Sequence, residues 1–133
     1  MRRRGLTLIE VMLALAILGV GLSVLISTAS KCLAVIRQSK NYENARHLLA
    51  LVEIDFHNAL LELENPEDLE DGSESVDFPY EFSNYKGTWE VTTIGEEEDG
   101  LKEVKFTVTW SERGTESFEE VTMYRYVPQK TKG

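Results

Sequence analysis

One stretch constrains this chain more than any other. Arg2, Arg3, Arg4 and Gly5 precede an apolar run that holds one acid near its start, Glu10, and no charge from Val11 to Ile26. Leu6 to Ala29 makes about 36 Å of helix. That crosses a hydrocarbon core of about 30 Å with slight tilt. The arginines predict a cytoplasmic N-terminus and an exported remainder. A secretory signal peptide has the same basic start, but it ends in a small-residue cleavage site. Only a weak site of that kind exists, around Ser27–Ala29. A single-pass anchor is the plainer reading.

Length and charge bound the rest. A chain of 133 residues accommodates one domain plus a long N-terminal element. The formal charge is −9, and the basic residues at the start only mask how acidic the remainder is. Such a surface argues against nucleic acid as a partner. Cys32 is the single cysteine, so no intrachain disulfide forms, and neither redox compartment is excluded.

Beyond Lys31 the apolar residues become periodic. Ala45, Leu48, Leu49, Val52, Phe56, Ala59, Leu60 and Leu63 recur at spacings of three and four, one face of an amphipathic helix. Tyr42, Glu43, Arg46, Glu53, Asp55 and Glu62 lie mostly off that stripe. The first strong break is Asn65-Pro66, because proline disfavours helix at the residue before it. One helix from Leu6 to Glu64 would be roughly 90 Å long. The alternative is two helices, kinked near Gly19-Val20-Gly21 or broken between Lys31 and Asn41. Asn65 and Pro66 also suit the cap and first residue of a short turn, followed by a loop at Glu70–Ser73.

The remainder reads as strands. Val76, Phe78, Tyr80 and Phe82 alternate with polar residues or proline, and Pro79 assigns that strand to an edge. Asn84–Gly87 is a turn, and Thr88–Ile94 a strand with Trp89, Val91 and Thr93 on one face. Val104, Phe106, Val108 and Trp110 form the clearest inward face. After a turn at Ser111–Gly114, Phe118–Val127 is the last strand, with Val121 and Met123 on one side and Tyr124 and Tyr126 on the other. Three or four antiparallel strands covering one helix stripe make an α+β unit.

Few residues suggest chemistry. His47 and His57 sit about 280° apart around a helix and share no face. Glu53 and His57 could pair weakly, but nothing nucleophilic accompanies them. The run Glu96–Asp99 is acidic enough to interest calcium, yet its spacing does not match an EF-hand loop. It reads as a solvated turn. Trp89 and Trp110 read as core, and Cys32 as inert. No catalytic, cofactor-binding or metal-binding residue is assigned.

Glu10 remains. Its plain reading is an acid at a helix start, favoured by the helix dipole. Yet Leu6, Leu8, Ile9 and Val11 surround it, and a buried carboxylate needs a counter-charge or hydrogen bonds. No lysine or arginine follows within reach. Glu10 therefore snorkels, protonates, or finds its cation on another molecule or a chain terminus. Cutting after Gly5 would create such a cation, the α-amino group of Leu6.

Gly5-Leu6-Thr7-Leu8-Ile9-Glu10-Val11, between a basic leader and an apolar helix, closely resembles the class III signal of type IV pilins and type II secretion pseudopilins. Leu6 departs from the commoner phenylalanine. The resemblance covers about the first thirty residues. It implies cleavage between Gly5 and Leu6 by an inner-membrane prepilin peptidase, and N-methylation of Leu6. It also implies that Glu10 pairs with the amino terminus of an adjacent subunit during assembly. Partners implied are the peptidase, other pilins or pseudopilins, and an assembly platform protein of the inner membrane. Glu10–Leu18 looks like the minor pseudopilin I or minor pilin V group, which suggests a minor subunit.

The implied fold is α+β and pilin-like: a long N-terminal helix, transmembrane in its first half, packed on a small antiparallel sheet. Residues 1–5 are then a leader, 6–30 the transmembrane and assembly helix, and 31–64 its amphipathic continuation. Residues 65–127 form the sheet domain and 128–133 a flexible tail. The implied role is a non-enzymatic one in a type II secretion pseudopilus or type IV pilus. Rival readings are an anchored extracytoplasmic binding module outside any filament, and an enzyme with an undetected site.

Overall fold

A computed structural model describes residues 5–96 and 100–127. Residues 1–4 of the expected leader 1–5, the acids at 97–99 and the expected tail 128–133 lie outside the described residues, and so does most of the acidic run considered for calcium. The chain divides into two compact units, with the boundary between Lys40 and Asn41.

A single helix, α1, runs Leu8–Glu62. No break interrupts it at Gly19–Gly21 or between Lys31 and Asn41, so the continuous reading holds. In the first unit its large apolar residues, such as Leu8, Leu18, Leu25 and Ile36, are exposed. Ser23 and Thr28 return their hydroxyls to the carbonyls of Gly19 and Val24, each at 2.9 Å, so they expose no unpaired hydroxyl donor. This part of α1 makes one helix long and apolar enough to cross a membrane.

In the second unit, α1 packs on a four-stranded antiparallel sheet of order β1-β2-β3-β4. The strands are β1, Gly72–Val76; β2, Tyr85–Thr93; β3, Leu101–Glu112; and β4, Thr115–Tyr126. The predicted stripe is the buried one: Ala45, Leu48, Leu49, Val52 and Phe56 are buried, and Ala59, Leu60 and Leu63 pack partly against them. They meet the inward faces of β2 and β3, where Trp89, Val91, Val104, Phe106, Val108 and Trp110 are all buried. Phe56 is central, with edge contacts to Trp89 at 5.2 Å and Phe106 at 5.5 Å. The architecture is therefore α+β and pilin-like, with an apolar first half of the long helix.

The sequence expectation misplaces the first strand. Val76–Phe82 does not form it; β1 occupies Gly72–Val76, and Tyr80–Phe82 is a short 3-10 turn. Pro79 explains the difference. It has no N–H for a ladder and sits at φ −52°, ψ 154°, where it opens the turn. Phe78 and Phe82 still reach the core, but from this connection, while Tyr80 is 93% exposed. The expected loop at Glu70–Ser73 accordingly gives up Gly72 and Ser73 to β1.

The expected turn at Asn84–Gly87 shortens too, because Tyr85 and Gly87 are buried residues of β2. Gly87 has to be small: a Cβ there would lie 2.5 Å from Phe78 Cζ and 2.8 Å from Val52 Cγ2. Tyr42, expected mostly off the stripe, turns inward and meets Trp110 at 5.0 Å. Asn65 does precede a 3-10 turn at Pro66–Asp68, but its side chain makes no cap; its carbonyl accepts the Asp68 N–H at 3.0 Å. The last strand starts at Thr115, not Phe118, because a two-residue turn, Arg113-Gly114, reverses the chain with φ of 52° and 79°.

Candidate functional site

The candidate site lies at the start of α1. Thr7 precedes the first helical residue, so the first turn of α1 has backbone N–H groups without helical partners. Glu10 answers one of them. Its Oε2 accepts the Thr7 backbone N–H at 2.8 Å and the Thr7 hydroxyl at 3.0 Å. The Thr7 carbonyl in turn accepts the N–H groups of Glu10 and Val11 at 3.1 and 3.3 Å. This is the reach-back half of a capping box, Thr-x-x-Glu. Thr7 was the residue missed in reading the sequence, and its spacing of three from Glu10 was the pattern that could have found it.

The arrangement changes what Glu10 needs. One carboxylate oxygen takes both bonds from Thr7, and among the described residues Oε1 has no partner. A carboxylate accepts at both oxygens. Thr7 therefore orients the group along the first turn while leaving Oε1 free for an outside donor. No salt bridge to Glu10 exists among the described residues.

Gly5 and Leu6 are exposed beside this turn. A Cβ on Gly5 would meet nothing within 4 Å. Nothing described in the fold requires glycine there, so any requirement comes from a molecule that handles this segment. Leu6 is 79% exposed and leaves its backbone accessible.

The other candidates resolve into structure. His57 approaches the backbone carbonyl of Glu53 at 3.1 Å rather than its carboxylate. His47 and Cys32 are exposed. Trp89 donates its indole N–H to Asp55 at 3.2 Å. Among the described residues no three His, Cys, Asp or Glu side chains gather in a way that could hold a metal.

One polar cluster was not read from the sequence. Asp71 accepts the Thr93 N–H at 2.9 Å, the Thr93 hydroxyl at 2.7 Å and Lys102 Nζ at 2.8 Å. Lys102 is 6% exposed. The lysine, then the threonine bonds, hold the Asp71 carboxyl down at about 2. The cluster clips the residue before β1 to the end of β2 and the start of β3. No sequence pattern announces it, because its three members are brought together only by strand register.

Comparison with known proteins bears on the helix start alone. Residues 1–26 match the prokaryotic N-terminal methylation motif, which is the signal of type IV pilins and pseudopilins. That match contains Gly5, Leu6, Thr7 and Glu10 and stops within the apolar half of α1. No curated protein and no solved structure matches the chain.

Proposed function

We propose that this chain is a minor structural subunit of a type II secretion pseudopilus or a type IV pilus, without catalytic activity of its own. Prepilin peptidase removes residues 1–5, and the new amino terminus at Leu6 is methylated. The processed chain waits in the inner membrane as a single-pass protein, its acidic sheet unit outside the cytoplasm. It then moves, through the platform protein, into a bundle of similar helices. The observation that carries this reading is the methylation motif at residues 1–26 with Glu10 inside it.

The physical logic follows from the helix. Exchanging lipid contacts for helix contacts gains little per unit area, since both are apolar. A carboxylate in that setting is costly until it meets a cation. Glu10, held by Thr7 with Oε1 unpartnered among the described residues, therefore favours the one register in which a neighbour's amino terminus comes opposite. Direction and register come from this pair, and the apolar face supplies area.

Mass spectrometry of the native N-terminus tests the processing, and a methylated Leu6 is expected. An intact Met1 or a cut near Ala29 overturns it. Three variants then separate cap from charge. Glu10→Gln keeps a side chain that can cap and loses the charge; Thr7→Ala loses the hydroxyl and keeps the charge; Glu10→Ala loses both. The expectation is that both Glu10 variants insert and are cleaved but stay out of filaments, while Thr7→Ala incorporates at reduced yield. Normal incorporation of Glu10→Gln would refute charge pairing.

A further inference from the structure

Among the described residues the sheet has two free edges, and they are built differently. β1 is five residues long, carries Glu74, and is followed by Asp77 and Pro79. Short, charged and proline-flanked edges resist pairing. β4 is twelve residues long and ends the sheet on the other side. Its register shows which of its backbone groups are free. The two-residue turn at Arg113-Gly114 makes Glu112 and Thr115 a hydrogen-bonded pair. The same phase returns at the far end, where the Val127 N–H donates to the Gly100 carbonyl at 2.7 Å. Odd-numbered residues of β4 therefore bond to β3. The backbone groups of Glu116, Phe118, Glu120, Thr122, Tyr124 and Tyr126 point to the open edge.

The side chains along this edge are unusual for a surface. Phe118, Tyr124 and Tyr126 are 60–67% exposed on the outer face of the sheet. On the inner face a groove runs beside the same edge, floored by Leu49, Ala50, Phe106 and Val121. Its rim holds Glu53 and the Arg46–Glu119 ion pair at 3.2 Å. A strand laid along β4 would find backbone partners, apolar neighbours outside, and an apolar groove for its inward side chains.

Charge says which strand. The half of β4 nearest the turn carries Glu116, Glu119 and Glu120, and only Glu119 meets a cation among the described residues. A second copy of this chain would bring the same acidic strand. We propose that β4 takes up one β-strand from a neighbouring pilin-like subunit of different sequence. That strand has lysine or arginine opposite Glu116 and Glu120, and apolar or aromatic side chains opposite Phe118 and Tyr124. Strand addition of this kind takes affinity from the backbone ladder and specificity from alternate side chains. The inference rests on the filament-subunit reading above and names the surface and the partner.

The test is photo-cross-linking of the full chain in its native membrane. Benzoylphenylalanine is placed at Phe118, with Thr92 on the outer face of β2 as control. The expected result is an adduct at Phe118, at least about tenfold above Thr92, whose cross-linked peptide is a basic strand of another chain bearing the same N-terminal signal. Thr122→Pro removes an N–H that points to the open edge and leaves the β3 bonds intact, so it should lower the adduct with an unchanged melting midpoint. The pair Glu116→Lys and Glu120→Lys should lower it without altering the backbone. An adduct with a second copy of this chain, with any protein lacking the signal, or at equal yield from Thr92 overturns the proposal. Filaments that contain this chain but give no Phe118 adduct defeat this inference alone. A chain never cut at Gly5 and absent from filaments defeats the subunit reading, and this inference with it.

Discussion

The two parts of α1 share a helix and little else. Up to Lys40 its large apolar side chains are exposed on every face; from Asn41 onward one stripe is buried and the remaining faces are mostly polar. In the first part, apolar surface is left for a surrounding that the chain does not itself supply. In the second, the chain supplies that surrounding as a sheet. The same residue type, leucine, is therefore exposed at position 18 and part of the folded core at position 48. Composition does not distinguish them; periodicity does, because a stripe implies a single neighbour and continuous coverage implies many.

Mutations can break this contrast directly. Phe56→Ala empties the site where α1 meets Trp89 and Phe106, and should cost about 3–5 kcal/mol in denaturant unfolding of the sheet unit. Leu18→Ala, on the exposed part of the helix, should leave that unfolding within about 0.5 kcal/mol of the parent and act on assembly instead. A comparable loss of stability from both would erase the distinction.

A smaller effect sharpens the packed side. Gly87→Ala forces a methyl between Phe78 and Val52. Overpacking of that kind costs about 1–3 kcal/mol, read as a lower urea midpoint. An unchanged midpoint would mean that Phe78 swings away freely and contributes little to the core.

The smallest effect concerns the clip. Asp71 has its folded pKa depressed to about 2, so its contribution is complete above the unfolded carboxylate range and is lost as pH falls from about 4 toward 2. The side chain is 47% exposed, which limits the effect of Asp71→Asn to about 1 kcal/mol at neutral pH. The stability gap between parent and variant should be open at pH 7 and close as pH approaches 2. A gap that widens in acid would show that another group controls the region. The exposed part of α1 has the Thr7–Glu10 bonds, which join neighbouring residues of one turn rather than separate strands.

Much of this was legible before any coordinates. The helix stripe and the β3 face were readable because each element buries one side against one layer, which imprints a period of 3.6 or 2 on the sequence. The N-terminal signal over residues 1–26 was readable because its spacing along the chain is itself the motif. Even the Thr7–Glu10 cap could be read, being local. Tertiary structure alone decided where β1 lies, since its five residues are exposed or half-buried and show no alternation. It also turned Tyr42 toward Trp110, joined Asp71 to Lys102, and directed the free backbone groups of β4 outward. Each depends on residues far apart in the chain meeting in one register, and no local pattern encodes a register. The apolar start of the chain was legible as a long helix; the unpaired edge of β4 among the described residues was not.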